Sequence, residues 1–140
     1  MQKKKYKIGY TTGVFDMFHV GHLNILRRAK EECEYLIVGV TTDELCFKRK
    51  SKYPIINQND RMEIIAAIKY VDEVVEQDNM DKFAAVKRYG ANVVFVGSDW
   101  QGTPAWVEYE EQLKKIDVSV VYLSHTDGVS STMLREQLGK

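Results

Sequence analysis

Two histidines flank a glycine at His19-Val20-Gly21-His22, and the residues that follow, Leu23-Asn24-Ile25-Leu26, begin a helical pattern. A helix start carries unpaired N–H groups and the positive end of the helix dipole, a combination that binds anions and phosphate in particular. Gly21 lets a ligand approach the backbone, and His19 and His22, three residues apart, would face the same anion. Two structural histidines, or half of a metal site, are the other readings of this tetrapeptide taken alone. A second helix start is written at Ser130, Ser131 and Thr132, just before Met133-Leu134. Capping explains such hydroxyls, and the same geometry suits them to further phosphates. The basic run Lys48-Arg49-Lys50-Ser51-Lys52 reads by itself as a solvated loop.

These groups need a frame, and the chain alternates short runs rich in β-branched and aromatic residues with longer stretches of helical period. Strands are predicted at Tyr6 to Thr11, Tyr35 to Val40, Glu73 to Val75, Asn92 to Val96 and Val118 to Leu123. Helices are predicted at Gly21 to Cys33, Asp60 to Tyr70, Asp81 to Tyr89, Trp106 to Ile116 and Ser131 to Leu138. Gly90 supplies a left-handed end to the third of these. On the fourth, Trp106, Tyr109, Leu113 and Ile116 share one face, with Glu110/Lys114 and Glu111/Lys115 spaced to pair on the other. Thr41 to Asn59 reads as a long loop of the kind that forms lids or binding sites. Arg61, ahead of Ile64, Ile65 and Ile68, is placed to anchor that loop.

Strands joined by helices are parallel, and the class is α/β with three layers. Ligands of such sheets sit beyond the carboxyl ends of the strands where their order reverses, which singles out the loops after the first and fourth strands.

The chain of 140 residues is one domain's worth of sequence, with 44% hydrophobic residues, nine glycines and two prolines, a composition that excludes fibre and disorder. Twenty basic side chains balance twenty acidic ones, so no general attraction to nucleic acid or an anionic membrane is expected. The longest apolar run, Tyr35 to Val40, is far short of the ~20 residues that span a bilayer. Met1 to Tyr10 lacks the apolar stretch of a secretory signal, and a cytoplasmic location is the expectation. Cys33 and Cys46 form no metal motif and read as reduced core or loop residues.

The run from Gly13 to His22 resembles the G-x-F-D-x-x-H-x-G-H signature of the cytidylyltransferase-like nucleotidylyltransferases. Tyr70-Val71-Asp72-Glu73-Val74-Val75 resembles their Y-V-D-E-V segment, Gly97-Ser98-Asp99-Trp100 their G-x-D-W, and Thr126-Asp127-Gly128-Val129-Ser130-Ser131-Thr132 their T-E-G-I-S-T-T. The four blocks fall in the family's order across nearly the whole chain, with the nearest likeness to the small glycerol-3-phosphate enzymes. The resemblance implies a single Rossmann-like, doubly wound domain with a five-stranded parallel sheet. It also implies transfer of a nucleotidyl group, CMP from CTP, to a phosphorylated small alcohol or polyol, with pyrophosphate leaving and Mg2+ assisting. A cytoplasmic homodimer that neither binds nucleic acid nor inserts in a membrane is the expected form. An adenylyltransferase, or a nucleotide-binding module without catalysis, is the competing reading.

Carried over residue by residue, the likeness makes His19, His22, Lys50 and Ser131 catalytic. Gly13, Val14, Phe15, Asp16, Gly21, Asp99, Trp100, Thr126, Gly128, Ser130 and Thr132 would surround the nucleotide. Lys52, Lys69 and His125 would meet the acceptor, and no protein metal ligand is assigned. Loop ordering is the other role open to Asp16, and a core or dimer contact the other role open to Trp100. Lys69 and His125 stand where the glycerol-phosphate enzymes carry arginine, which replaces a flat bidentate fork with a weaker phosphate partner. Val14 stands where they carry threonine.

Overall fold

Alternating apolar runs and helices assemble as a parallel sheet in the computed structural model, which describes residues 4–124. The strands are β1 (Tyr6–Gly13), β2 (Cys33–Thr41), β3 (Glu73–Gln77), β4 (Val93–Gly97) and β5 (Ser119–Leu123). The helices are α1 (Val20–Glu32), α2 (Asp43–Lys50), α3 (Gln58–Ala66), α4 (Lys82–Tyr89) and α5 (Pro104–Lys114). All strand pairs are parallel and the order is β3-β2-β1-β4-β5. The order reverses between β1 and β4, so the two loops singled out from the sequence open side by side at the carboxyl edge. The predicted helix from Ser131 to Leu138 lies outside the described residues.

Period-two alternation divides the core in two. Leu36, Val38, Val40, Val93 and Phe95 pack with Leu26 and Ala29 of α1 and Ile65 of α3. Tyr10, Ile37 and Val94 point the other way, to Val86 of α4 and Trp106 and Leu113 of α5. Both cysteines are free and buried, Cys33 in the first of these layers. Gly90 closes α4 at φ 69°, the left-handed conformation expected of it.

Two sequence expectations need correction. The segment from Thr41 to Asn59 is not all loop, since α2 occupies Asp43–Lys50. Thr42 caps it, Asp43 and Glu44 fill its first turn and Lys48, Arg49 and Lys50 its last, so each charge opposes the helix dipole. The second correction concerns apolar faces. Ile64 is exposed while Ile65 is buried, and α5 ends at Lys114, leaving Ile116 exposed. Glu110 accepts a hydrogen bond from the Tyr122 hydroxyl, and among the described residues neither Glu110/Lys114 nor Glu111/Lys115 forms the ion pair that their spacing allows.

Candidate active site at the carboxyl edge of the sheet

The loop leaving β1 turns through two left-handed residues, Phe15 at φ 54° and Met17 at φ 50°. Non-glycine residues adopt this region at a cost, and surrounding contacts must hold them there. Phe15 is buried in the core and its ring meets His22 edge-on at 5.5 Å. Phe18 lies 5.3 Å from the same imidazole, and His19 stacks on it at 3.9 Å.

His19 holds the N-cap place of α1, and its Nδ1 accepts the Gly21 N–H at 3.0 Å. His22, three residues on, accepts the His19 N–H on its own Nδ1 at 3.2 Å. This is a reciprocal capping box built from two imidazoles. Because each Nδ1 is an acceptor, the proton of each neutral ring sits on Nε2, which makes both Nε2 atoms donors. The Nε2 of His19 is buried and has no hydrogen-bond partner among the described residues. Burial also holds the His19 pKa below its ordinary 6.5, which keeps the ring neutral and its Nδ1 available to the cap.

Asp16 and Arg61 fix this loop against the next. Asp16 is 1% exposed, and its two carboxylate oxygens accept the Ile55 and Ile56 N–H groups, each at 2.8 Å. Arg61, also 1% exposed, donates to the carbonyls of Ile56 at 2.9 Å and of Val14 and Thr41 at 2.8 Å, and to Asp43 Oδ1 at 2.5 Å. One guanidinium thereby ties the ends of β1 and β2 to α2 and to the chain entering α3, the anchoring role read for it in the sequence. The Asp16 carboxylate orders this loop, one of the two roles open to it from the sequence, and the Val14 carbonyl is engaged by Arg61.

On the other side of the reversal, Asp99 and Trp100 sit in a short 3-10 turn, Ser98–Trp100, directly after β4. Trp100 is 48% exposed. Gly13 ends β1, His19 caps α1 and Gly21 and His22 lie in its first turn, so Gly13, Phe15, His19, Gly21, His22, Asp99 and Trp100 all lie in the two adjoining loops or at the element ends that border them. Lys50 closes α2 and Lys52 follows the left-handed Ser51, both exposed. Lys69 is not brought to them. It precedes β3 at the amino edge of the sheet, with its Nζ 5.2 Å from the Tyr70 ring. A helix that returns antiparallel to the strands has to end at that edge. His125, Thr126, Gly128, Ser130, Ser131 and Thr132 lie outside the described residues. Ser124, next to them, is held by Arg28 of α1 through its carbonyl at 2.6 Å and its hydroxyl at 3.0 Å.

Sequence reasoning passed over Lys82. It is the first residue of α4 and 4% exposed, and its Nζ donates to Thr12 Oγ1 at 2.6 Å. Burial, and after it the Arg49 guanidinium, push its pKa down from 10.5 to about 8. Three conditions oppose a cation here: desolvation, a like charge and the positive end of a helix dipole. A bound anion relieves all three. The basic charge that approaches this lysine is Arg49 of the same run that carries Lys50 and Lys52. Among the described residues no cluster of three His, Cys, Asp or Glu could hold a metal ion. No helix of the described part is long and apolar enough to cross a membrane.

Comparison with known proteins agrees with this architecture. Glycerol-3-phosphate cytidylyltransferase of Bacillus subtilis (strain 168) is 33% identical over 129 residues, covering 91% of this chain and 94% of its own. FAD synthase of Thermococcus sibiricus is 34% identical over 125 residues, covering 89% of this chain and 84% of its own. The crystal structure of the lipopolysaccharide core biosynthesis protein from Thermoplasma volcanium superposes with a TM-score of 0.70 at 24% identity, covering 86% of this chain and 97% of that one, a likeness of fold. A family model described as cytidylyltransferase-like matches residues 10–137, from within β1 through the second phosphate-type motif. With its paired histidines, reversed sheet and matched length, the chain belongs to the cytidylyltransferase-like family of nucleotidyltransferases.

Proposed function

We propose that this protein transfers CMP from CTP to a phosphorylated small alcohol or polyol, glycerol 3-phosphate being the reference acceptor, and releases pyrophosphate. The observation that carries the reading is the buried, unpartnered Nε2 of His19 beside the equally oriented His22 at the start of α1. A buried N–H without a partner costs about 1–3 kcal/mol, and a phosphate oxygen placed there recovers it. An acceptor phosphate oxygen attacks the α-phosphorus as the bond from that phosphorus to the pyrophosphate oxygen breaks. No protein nucleophile is required. The work of the site is alignment and stabilisation of charge on the oxygens in flight, which neutral N–H donors and cations supply.

In this reading His19, His22 and the α1 amide groups face the triphosphate, with Lys50, Lys52, Thr126, Gly128, Ser130, Ser131 and Thr132 completing its surroundings. Asp99 and Trp100 lie on the nucleoside side, and Lys82 with Arg49 and His125 meet the acceptor phosphate. Mg2+ accompanies the triphosphate. Its coordination would come chiefly from phosphate oxygens and water, the habit of this ion.

A second reading, AMP transfer from ATP to a riboflavin phosphate, is favoured by the FAD synthases among the relatives. Incubation with each nucleoside triphosphate, Mg2+ and a panel of glycerol 3-phosphate, ribitol 5-phosphate, phosphoethanolamine and riboflavin 5′-phosphate, with pyrophosphate release as the readout, separates them. Turnover with CTP and a polyol or amino-alcohol phosphate is expected. Turnover confined to ATP with riboflavin 5′-phosphate selects the second reading, and none with any pair refutes both.

A further inference from the structure

We infer that Thr12 is a positioning residue that aims the Lys82 ammonium at the acceptor phosphate, an inference that rests on the proposed acceptor role of Lys82. Thr12 is the penultimate residue of β1, and alternation puts its side chain with that of Tyr10 on the α4 side of the sheet. Its partner across the β1–β2 ladder is Gly39. A Cβ built on Gly39 would stand 3.1 Å from the Thr12 methyl and 2.7 Å from the Tyr10 hydroxyl, so the missing side chain is the room these groups occupy. A β-branched side chain with its methyl seated has its χ1 fixed. The hydroxyl oxygen is then turned to Lys82, 70 residues away in sequence, and accepts a hydrogen bond from its ammonium at 2.6 Å.

Among the described residues this is the one hydrogen bond of the Lys82 ammonium. An ammonium has three donors in tetrahedral disposition, so fixing one fixes the cone swept by the other two. A lysine stem has four rotatable bonds and, without the threonine, would spend its time among several rotamers. Thr12 thus acts through Lys82 and ahead of binding, as preorganisation of a cation that the acceptor phosphate then meets ready-placed. A role of this kind loads the effect on acceptor binding and leaves the CTP side untouched.

The test uses the acceptor that turns over best in the panel above, with steady-state constants for it and for CTP. Thr12→Val, which keeps shape and loses the hydroxyl, is expected to raise the acceptor KM about tenfold, with kcat within about threefold and the CTP KM unchanged. Thr12→Ser, which restores the hydroxyl without the methyl, is expected to stay within about threefold of wild type throughout. If Thr12→Val does not fold, Thr12→Ala against Thr12→Ser decides the same question. Lys82→Met serves as reference and should raise the acceptor KM more than any Thr12 variant. An acceptor KM unchanged in Thr12→Val, a CTP KM that rises with it, or a serine variant as impaired as the valine one overturns the inference. An unchanged acceptor KM in Lys82→Met instead overturns the acceptor site itself.

Discussion

Replacing Lys82 by methionine should make the protein more stable and less active at once. The side chain keeps its unbranched stem, one atom shorter, and loses a charge that its surroundings disfavour. At about 1.4 kcal/mol for each factor of ten in proton affinity, lowering the pKa from 10.5 to about 8 corresponds to roughly 3 kcal/mol against the charged form at neutral pH. The variant also gives up a charge-assisted hydrogen bond worth about 1.5–3 kcal/mol to Thr12, part of which water restores at the open carboxyl edge. The net expectation is a gain of about 1–2 kcal/mol, or about 2–6 °C in Tm for a chain of this size. The pH dependence fixes the cause. In the unfolded chain the lysine keeps its proton up to about 10.5, and in the folded protein it releases it near 8. Between these values the unfolded state binds more protons, so wild-type stability carries a contribution that rises with pH across that window. The variant lacks it, and the difference in Tm between the two proteins should shrink from pH 7 to pH 9.5. Thermal melts at the two pH values, beside kcat/KM for the acceptor, measure all of this. A variant no more stable than wild type at pH 7, or one retaining over a tenth of its kcat/KM, refutes the reasoning.

His22→Ala should leave less than about a tenth of the wild-type rate, a loss of at least ~1.4 kcal/mol of transition-state stabilisation. Loss of one capping acceptor should cost only about 1 kcal/mol in a denaturant titration, so a variant that unfolds outright would mark His22 as structural. On the acid side, His19 has a pKa held below 6.5, and protonating it removes the acceptor for the Gly21 N–H; its share of stability is complete above 6.5 and lost as pH falls through its folded value. The pH–rate profile should fall there, and a rate flat through acid pH would contradict the neutral-donor role. Asp16→Asn keeps one of two carboxylate acceptors and should cost about 2 kcal/mol, with faster tryptic cleavage at Lys50 and Lys52. Equal cleavage rates would detach Asp16 from the loop. Sedimentation at micromolar concentration should show a dimer of the 16.2 kDa chain, and a species of chain mass with and without CTP would exclude it.

Much of this protein was legible in its sequence, because much of it is encoded locally. Period two and period 3.6 mark strands and helices within windows of a dozen residues, and a parallel βα chain leaves few topologies open. The glycine between histidines announced the start of α1, and Gly90 the end of α4. The charges of α2 are equally local, acids at its start and bases at its end, yet the basic run by itself reads as loop. Other assignments depended on pairing across the fold. Nothing in the period of α4 sets Lys82 apart from an exposed first-turn residue. Its burial follows from the crossover that carries the chain from β3 past β1, where Thr12 waits 70 residues away. Lys69 sits in a recognisable motif, and the return of α3 to the amino edge of the sheet parts it from the paired histidines. Local periodicity determines which elements form and which faces are apolar. Which polar groups lose their water, and which partners then satisfy them, is decided by strand order and crossover, and pKa and binding chemistry follow from that loss.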